Sequence, residues 1–494
     1  MDISYRGLIK AFVMLLCITA AGCAVGPDYR ERSAPGVKTY TEKPIPAETA
    51  SAPGTGGEAQ HFADGEDIPA QWWTLFHSEA LDLLIRRALA ESPTLAAAEA
   101  ALRQARENLR ARTGTVAYPS LDANLSGVRE KVTGASAGLP DGAASTFSLY
   151  NASVNVSYAL DIFGGGRREL EALSAQVDFQ RFVLYGAHLT LTANIATAAI
   201  REASLRAQIR ANEDIVAGET KQLEMVERQS FLGGASRADV LAQQTQLAQT
   251  KAALPVLERE LAQTRNLLAA LSGRFPGEAE LPEFRLEDLQ LPRELPVSLP
   301  SSLVRRRPDI RASEELVHAA SANVGVATAN LYPKITLTAA WGSNSTRIED
   351  LLSPGTSFWN IGAGLLQPLF HGGELTAKRR AAIAAYEQAM AQYRETVLQA
   401  FQNVADVLQA LEADARTLRA QADAEAIARD SLDLTEKQFQ YGATSYLTLL
   451  NAQRQHQRAL IILVQAQSAR FADTAALFQA LGGGWGEIGE SVNR

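Results

Sequence analysis

Residues 227–244 read ERQSFLGGASRADVLAQQ, and residues 436–453 repeat the pattern as EKQFQYGATSYLTLLNAQ. Each stretch begins with charged, helix-forming sequence, breaks at a glycine (Gly233 or Gly442), and resumes with an apolar run that ends in glutamine. Glycine is the usual residue where a helix ends in a left-handed conformation. Each stretch therefore predicts the tip of a helical hairpin, and the chain contains two of them.

The repeat extends well beyond the tips. Four further motif pairs recur at offsets of 207 to 215 residues: SPTL at 92–95 with RPDI at 307–310, AYPSL at 117–121 with LYPKI at 331–335, FGGG at 163–166 with FHGG at 370–373, and LSG at 271–273 with LGG at 481–483. A two-copy repeat of this length is a duplicated half-domain rather than a solenoid array. We therefore expect the 494 residues to form one intertwined body.

Composition argues against several classes of function. A net charge of −8 provides no basic surface of the kind that nucleic-acid binding requires. Cysteine occurs only at Cys17 and Cys23, and the histidines form no HExxH motif or Cys/His cluster, so we predict no metal site and no cofactor. Residues 134–138 match GxSxG, but a turn follows rather than a helix, which favours a flexible loop over a nucleophile. We predict that the protein is not an enzyme.

The N-terminus has the features of a bacterial lipoprotein signal. A basic start and an apolar core too short to span a bilayer lead into small residues and then Cys23. This arrangement resembles the lipobox, in which the cysteine becomes the acylated first residue of the mature protein. An ordinary signal peptide with an incidental cysteine is the alternative. We predict a lipoprotein signal peptide at 1–22 and a lipid-anchored extension, rich in Pro and Gly, at 23–70.

Four segments have the length and alternation of membrane β-strands. Each has roughly ten residues, with apolar side chains on one face and small or polar ones on the other. The predicted strands are residues 121–132 and 146–159 in the first copy, and 335–345 and 358–368 in the second. Two soluble hairpins packed on a core are the alternative, and alternation alone does not decide between them.

Each strand pair leads into a very long helix. Residues 167–232 carry apolar side chains at a spacing of seven from Val177 to Leu205, and residues 375–440 carry them at steps of three and four. Both patterns are coiled-coil seams. About 65 residues of helix rise ~100 Å, which is far longer than an ordinary globular helix.

Four strands cannot close a membrane barrel within one chain. The smallest such barrel has eight strands, and exposed sheet edges are not tolerated in lipid. If the strands span a membrane, several chains must share one barrel, and three chains give twelve strands.

These features together resemble the outer membrane factors, in the OprM/NodT lipoprotein branch of the TolC-like superfamily. The resemblance rests on CAVGPDY at 23–29, the Trp72-Trp73 pair, the repeated Tyr-Pro helix ends, the hairpin tips and LGGGW at 481–485. It covers essentially the whole mature chain. It implies an α+β membrane protein: a homotrimer with a twelve-stranded outer-membrane β-barrel, four strands per chain, continuous with a long periplasmic α-helical coiled-coil barrel.

The implied function is the exit duct of a tripartite efflux pump of a Gram-negative bacterium, which passes drugs or other small molecules to the exterior. The implied partners are a periplasmic adaptor, an inner-membrane transporter, commonly of the resistance-nodulation-division class, and outer-membrane lipid. The corresponding domains are a first repeat at 71–273 with its tip at 230–236, a linker or equatorial segment at 274–300, a second repeat at 301–484 with its tip at 440–445, and a tail at 485–494.

Two sets of site residues follow from the resemblance. The tips that dock the adaptor in relatives match Leu232, Gly233, Gly234, Tyr441, Gly442 and Ala443. The periplasmic gate of relatives matches Leu447, Asn451 and Arg454, with Asp239 as a partner for Arg454. Relatives carry Asp where this chain has Asn451, so three copies of this chain would place amides rather than carboxylates at that level.

Alternatives remain at the gate and for the function. Asp239 can instead complete a capping box with Ser236, and Arg454 can be a solvated coiled-coil charge. A TolC-type duct for protein secretion shares the architecture. A periplasmic coiled-coil lipoprotein would explain the helices and Cys23, but not the four alternating segments at equivalent points of the repeat.

Overall fold

The computed structural model describes residues 24–66, 68–133 and 144–483. They form two compact units. The first contains the described residues up to Arg32 and those of Ala101–Gln180 and Ser313–Tyr393, and the second contains those of Ser33–Ala100, Arg181–Ala312 and from Arg394 onward. Cys23 and the GxSxG motif lie outside the described residues.

The helices repeat in length between the two halves of the chain. The α-helices of the described residues are α1 (Glu79–Glu91), α2 (Pro93–Ala117), α3 (Gly165–Phe231), α4 (Arg237–Leu271), α5 (Pro300–Arg306), α6 (Pro308–Ala329), α7 (Glu374–Gln440) and α8 (Tyr446–Ala480). The long helices α3 and α7 have 67 residues each, and the return helices α4 and α8 have 35 each. The tandem duplication seen in the sequence is therefore also present in the structure.

Each of the four predicted strand segments contains a strand. The strands of the described residues are β1 (His61–Asp64), β2 (Ser120–Val132), β3 (Ser145–Leu160), β4 (Glu294–Val297), β5 (Lys334–Ser345) and β6 (Ser357–Leu366). In the first unit, β2, β3, β5 and β6 form one antiparallel sheet in that order. The strand β6 ends two residues before the predicted boundary of 368, where Pro368 has no N–H for the ladder.

The seam predicted for α3 is buried, and the seam predicted for α7 is buried in part. On α3 the buried residues are Val177, Leu184, Leu191, Ala198 and Leu205. On α7 the buried residues are Val397, Val404, Leu408 and Leu411, whereas Tyr386, Met390, Tyr393 and Phe401 are half-buried. The helix α3 also contains a window that is apolar enough to cross a membrane, but more than half of that window is buried by protein. Packing between helices therefore accounts for its apolar character.

The second unit contains a small sheet that the sequence patterns did not predict. The strand β1 pairs in parallel with β4, from His61 opposite Glu294 to Asp64 opposite Val297. The segment before β1 is also held in place, because Arg470 Nη2 on α8 donates hydrogen bonds to Gln60 Oε1 at 2.9 Å and to the Glu58 carbonyl at 3.0 Å. Four-residue strands are too short to show alternation, which is why the sequence predicts only an extension at 23–70 and a linker or equatorial segment at 274–300.

Candidate functional site

The register of the first unit's sheet decides which side chains share a face, because directly opposed residues point to the same side. One row across the four strands contains Ala123, Val154, Trp341 and Trp359. The adjacent row contains Asp122, Asn155, Ala340 and Asn360. We call the two sides the Val154 face and the Asn155 face. The first is largely apolar and the second largely polar.

The Val154 face presents large apolar side chains to the surroundings. Leu125 is 78% exposed, Trp359 is 73% exposed and Ile361 is 79% exposed. Contiguous exposed apolar surface marks a protein or membrane contact. This apolar face fits the lipid-facing side of a membrane β-barrel.

Both outer strands of this sheet have an open edge. Among the described residues, β2 pairs only with β3, and β6 pairs only with β5. An apolar sheet with open edges is not stable in lipid, so the edges need partners from other chains.

The two hairpin tips have the same backbone geometry. At the first, Gly234 N–H donates to the Gln229 carbonyl at 2.7 Å, and at the second, Ala443 N–H donates to the Gln438 carbonyl at 2.8 Å. These are the six-to-one bonds of Schellman motifs, which need a residue at positive φ. Gly233 has a φ of 80° and Gly442 a φ of 70°, which explains the glycine at each position.

Apolar side chains project from both tips. Phe231 is 91% exposed, Leu232 is 81% exposed and Tyr441 is 87% exposed. Behind them a small core holds both hairpins together, with Val226 of α3 packed against Tyr446 and Leu450 of α8. The tips are therefore exposed apolar surface on a packed support, which is what a docking surface requires.

The three residues predicted to form a constriction on α8 lie on one exposed side of that helix. Leu447, Asn451 and Arg454 are all exposed, and their spacing of four and three residues places them above one another. The neighbouring positions Leu449 and Leu450 are buried. This side of α8 is therefore free for contact beyond the chain.

Arg454 also reaches into a buried polar network. Its Nε donates a hydrogen bond to Gln246 Oε1 of α4 at 2.6 Å. Gln246 Nε2 in turn donates to Glu219 Oε1 of α3 at 3.1 Å and to Gln457 Oε1 of α8 at 3.2 Å. Gln246 and Glu219 are buried. The network therefore ties three helices of the second unit together beside the tips.

Asp239 has the capping role rather than an ion pair with Arg454 in this chain. Ser236 Oγ accepts from the Asp239 N–H at 3.2 Å, and Asp239 Oδ2 accepts from the Ser236 N–H at 2.9 Å. Both bonds of a capping box are present. A pair between Asp239 and Arg454 of different chains stays a prediction.

The network contains a carboxyl group that sequence reasoning missed. Burial raises the pKa of the Glu219 carboxyl above its usual value, while hydrogen bonds from Thr250 and Gln246 and the charge of Arg454 act in the opposite direction. Glu219 and Gln246 lie on other helices than Arg454. Polar residues at buried positions of a seam are the only sequence signal that points to them.

Side chains on helices of the first unit bind the segment that follows Cys23. Arg168 Nη2 of α3 donates to Asp28 Oδ1 at 2.5 Å, and the Tyr29 ring stacks on His318 of α6 with 4.1 Å between centroids. His318 lies between Glu315 at 3.3 Å and Glu171 at 3.2 Å. Hydrogen bonds to Glu315 and then Glu171 raise the pKa of His318, against the effect of burial.

Comparison with known proteins identifies the fold and its use. The model of the family described as outer membrane efflux protein matches residues 84–274 and 299–483, one match for each copy of the repeat. The chain belongs to this family. It is 33% identical to the pyoverdine export outer membrane protein OpmQ of Pseudomonas aeruginosa, over 86% of this chain and 89% of OpmQ. It is 30% identical to the probable efflux pump outer membrane protein TtgC of Pseudomonas putida, over 98% of this chain and 97% of TtgC.

A solved structure agrees with these sequence matches. The outer-membrane channel OprN superposes with a TM-score of 0.83 at 26% identity, covering 94% of this chain and 100% of OprN. The predicted fold class is thereby confirmed: the protein has the fold of the trimeric TolC-like channels, with a β-barrel shared between chains and a helical barrel. It is an outer-membrane component of an efflux pump. Neighbouring chains complete the barrel by pairing along the open edges of β2 and β6.

Proposed function

We propose that a periplasmic adaptor docks on the two hairpin tips and joins this channel to an inner-membrane transporter, commonly of the resistance-nodulation-division class. The observation that carries the proposal is the exposed apolar tip surface, with Phe231, Leu232 and Tyr441 projecting from a packed support. The predicted docking residues Leu232, Gly233, Gly234, Tyr441, Gly442 and Ala443 are all exposed.

A bulky side chain at a tip tests this proposal. A Cβ on Gly442 would meet nothing within 4 Å, so the bulky side chain of Gly442→Trp would start in open space. Its positive φ makes the substitution strained by about 1 kcal/mol, which a trimer of this size tolerates. We expect lost drug resistance at an unchanged trimer level.

The matched control is Gly277→Trp, since Gly277 is an exposed loop glycine that also has nothing within 4 Å of an added Cβ. This variant should keep resistance. Disulfide or photochemical crosslinking from position 441 should capture the adaptor. Normal resistance in Gly442→Trp, together with no crosslink, would refute docking at the tips.

The cargo is proposed to be a drug or another small molecule. OpmQ is named for pyoverdine export and TtgC for an efflux pump, and both match this chain over most of their length. A duct for protein secretion shares the fold, but neither of these relatives is named for that activity. Drug accumulation assays in cells that lack the gene would separate the two, since a secretion duct would leave accumulation unchanged.

We further propose that Leu447, Asn451 and Arg454 narrow the duct at the periplasmic end. Their common exposed side on α8, close to the tips, supports this role. Asn451 carries no charge, so three copies near a threefold axis would not repel one another as carboxylates would.

Cys23 is proposed to carry the lipid anchor. The clasped position of Asp28 and Tyr29 supports this, because it fixes the start of the mature chain beside the first unit's helices. Intact-mass spectrometry of the membrane form should show Cys23 as the first residue with added acyl mass, and an unmodified N-terminus would overturn the proposal. Cys23→Ser should stay in the membrane, because a barrel holds more firmly than acyl chains.

A further inference from the structure

The side chains that β2 places on the Val154 face change from apolar to charged towards the C-terminal end of the strand. Its first half places Leu121, Ala123 and Leu125 on the Val154 face. By the same alternation, Arg129 and Lys131 also lie on the Val154 face, opposite Ser148 and Thr146. A lipid-facing surface that is apolar along most of its length therefore ends in two cations.

The two cations are available to a ligand. Arg129 and Lys131 are both exposed, and within the part of the chain that the structure describes neither forms an ion pair. Glu130 is opposite Phe147 and lies on the Asn155 face, so its carboxylate does not compensate them. Like charges two residues apart on one face repel each other unless an anion binds between them.

An apolar cleft lies on the Val154 face, further along the strands than these two cations. It has a volume of about 530 Å³ and is lined by Leu125, Val154, Trp341 and Leu352 among others. This volume is within the ~300–1,000 Å³ range of small-molecule sites. Arg129 is four residues beyond Leu125, or about 13 Å along the strand.

The loop between β5 and β6 shapes the cleft. Thr356 Oγ1 hydrogen-bonds to Ser343 Oγ at 2.5 Å and donates to the Ser353 carbonyl at 2.8 Å, which holds the loop against the Val154 face. Leu351 is buried by this fold, whereas Leu352 is exposed at the edge of the cleft. The loop thus provides a second wall of the cleft, in which Leu352 lies beside Ser353 and Thr356.

The position of the cleft in the membrane follows from the chain path. The ends of β3 and β5 at Leu160 and Lys334 adjoin α3 and α6, and the resemblance to the outer membrane factors implies that the helical barrel lies in the periplasm. The opposite strand ends, with Arg129 and Lys131, therefore face the outer leaflet. A ligand there needs an acyl chain for the cleft and closely spaced anionic groups for the cations.

We propose that the cleft and the Arg129–Lys131 pair bind a phosphorylated, multiply acylated glycolipid of the outer leaflet. An acyl chain lies along Val154 and Trp341, and a phosphate group accepts hydrogen bonds from Arg129 and Lys131. Arginine recognises phosphate through paired N–H donors, which favours this lipid over a zwitterionic one whose ammonium group offsets its phosphate. The inference rests on the membrane location of the barrel and is independent of adaptor docking.

Native mass spectrometry of the full-length trimer tests the charged half of the site. The probes are diphosphoryl lipid A, its dephosphorylated form, phosphatidylethanolamine and inorganic phosphate. We expect selective retention of diphosphoryl lipid A, at up to three per trimer. The double variant Arg129→Gln/Lys131→Gln should bind it at least about tenfold more weakly. The control Glu130→Gln, on the Asn155 face, should bind normally.

Two further variants test the apolar half. Ala152→Trp on β3 fills the cleft and should weaken lipid A binding with both cations intact. Ala363→Trp on β6 also lies on the Val154 face but outside the cleft, so it should leave lipid A binding unchanged. A photoreactive residue at position 352 should crosslink to glycolipid in cells. The proposal would be overturned by equal retention of phosphatidylethanolamine, by binding of inorganic phosphate alone, or by unchanged lipid A binding in the double variant. A crosslink from position 352 to a protein instead of glycolipid would also overturn it.

Discussion

Arg454 Nε on α8 donates a hydrogen bond to Gln246 Oε1 on α4 at 2.6 Å. This contact joins the exposed side of α8 to a buried network that ends at Glu219 on α3. Burial raises the pKa of the Glu219 carboxyl, and the charge of Arg454 acts in the opposite direction. Arg454 is therefore one of the contacts that hold α8 against α3 and α4, beside the Gln246–Gln457 hydrogen bond and the packing of Val226 on Tyr446 and Leu450.

Removing this cation should loosen the closed channel. Arg454→Ala leaves Gln246 without its donor and Glu219 without a compensating charge, so α8 is held less firmly. We expect a higher single-channel conductance in planar bilayers and greater sensitivity of cells to vancomycin. Arg458→Ala, one turn further along the same exposed helix, is the control and should conduct like the parent. If Arg454→Ala also conducts like the parent while Leu447→Ala opens the pore, closure is apolar.

Substitution of Asp239 distinguishes its role in helix capping from a contact between chains. In this chain Asp239 completes the capping box with Ser236, so Asp239→Ala and Ser236→Ala should each cost about 1 kcal/mol at the start of α4. Conductance should then change equally in both variants. A larger opening in Asp239→Ala than in Ser236→Ala would show that its carboxylate also pairs across chains, and the double variant with Arg454→Ala would then be less than additive.

The two faces of the sheet should tolerate charge very differently. Val154 lies in the row with Trp341 and Trp359, and Asn155 lies in the row with Asp122 and Asn360. An arginine on a lipid face costs ~2–4 kcal/mol near the bilayer midplane. Val154→Arg should therefore reduce the yield of heat-resistant trimer far more than Asn155→Arg. Equal yields on gel electrophoresis would mean that the faces are assigned wrongly.

Gln60 should be important for the order of the N-terminal segment. It is fully buried, accepts from Arg470 and donates from Nε2 to the Pro292 carbonyl and Thr474 Oγ1 at 3.0 Å each. Gln60→Ala removes these bonds and should cost ~1.5–3 kcal/mol, since Arg470 is a buried charge. Limited proteolysis should cleave residues 33–66 sooner. Glu42→Ala, at an exposed position of the same segment, should resist like the parent.

Docking of the segment around Tyr29 should depend on pH through His318. The groups that face His318 are Glu315 on its own helix, Glu171 on α3 and the Tyr29 ring. The pKa of His318 is raised above 6.5, first by Glu315 and then by Glu171. Its contribution to stability is thus complete below pH 6.5 and is lost as the pH rises through the folded-state pKa.

Hydrogen exchange of residues 25–32 should therefore become faster as the pH rises through this window, after correction for the intrinsic pH dependence of exchange. His318→Gln should remove the dependence, and His371→Gln, an exposed histidine of the same unit, should not. Protection that stays constant across the window in the parent would rule out the imidazolium as a support of this segment.

The sequence by itself determined the parts of this protein that local chemistry controls. Gly233 and Gly442 had to end helices because only glycine readily adopts the φ values of 80° and 70° found there. The seams of α3 and α7 and the alternation in β2, β3, β5 and β6 follow from periods of 3.5 and 2, which a single segment reveals. The motif pairs were sufficient for the duplication, whereas the resemblance to the family rested also on motifs such as CAVGPDY at 23–29 and LGGGW at 481–485.

Only the tertiary structure decided which distant side chains meet. Arg454 and Gln246 are 208 residues apart, and Arg470 and Gln60 are 410 apart. Periodicity fixes the buried side of a helix, but not its rotation and axial position against a neighbour, which pair one polar side chain with another. Strand alternation likewise leaves the register open, and it is the register that places Val154 and Trp341 beside Leu125 on the face that ends in Arg129 and Lys131.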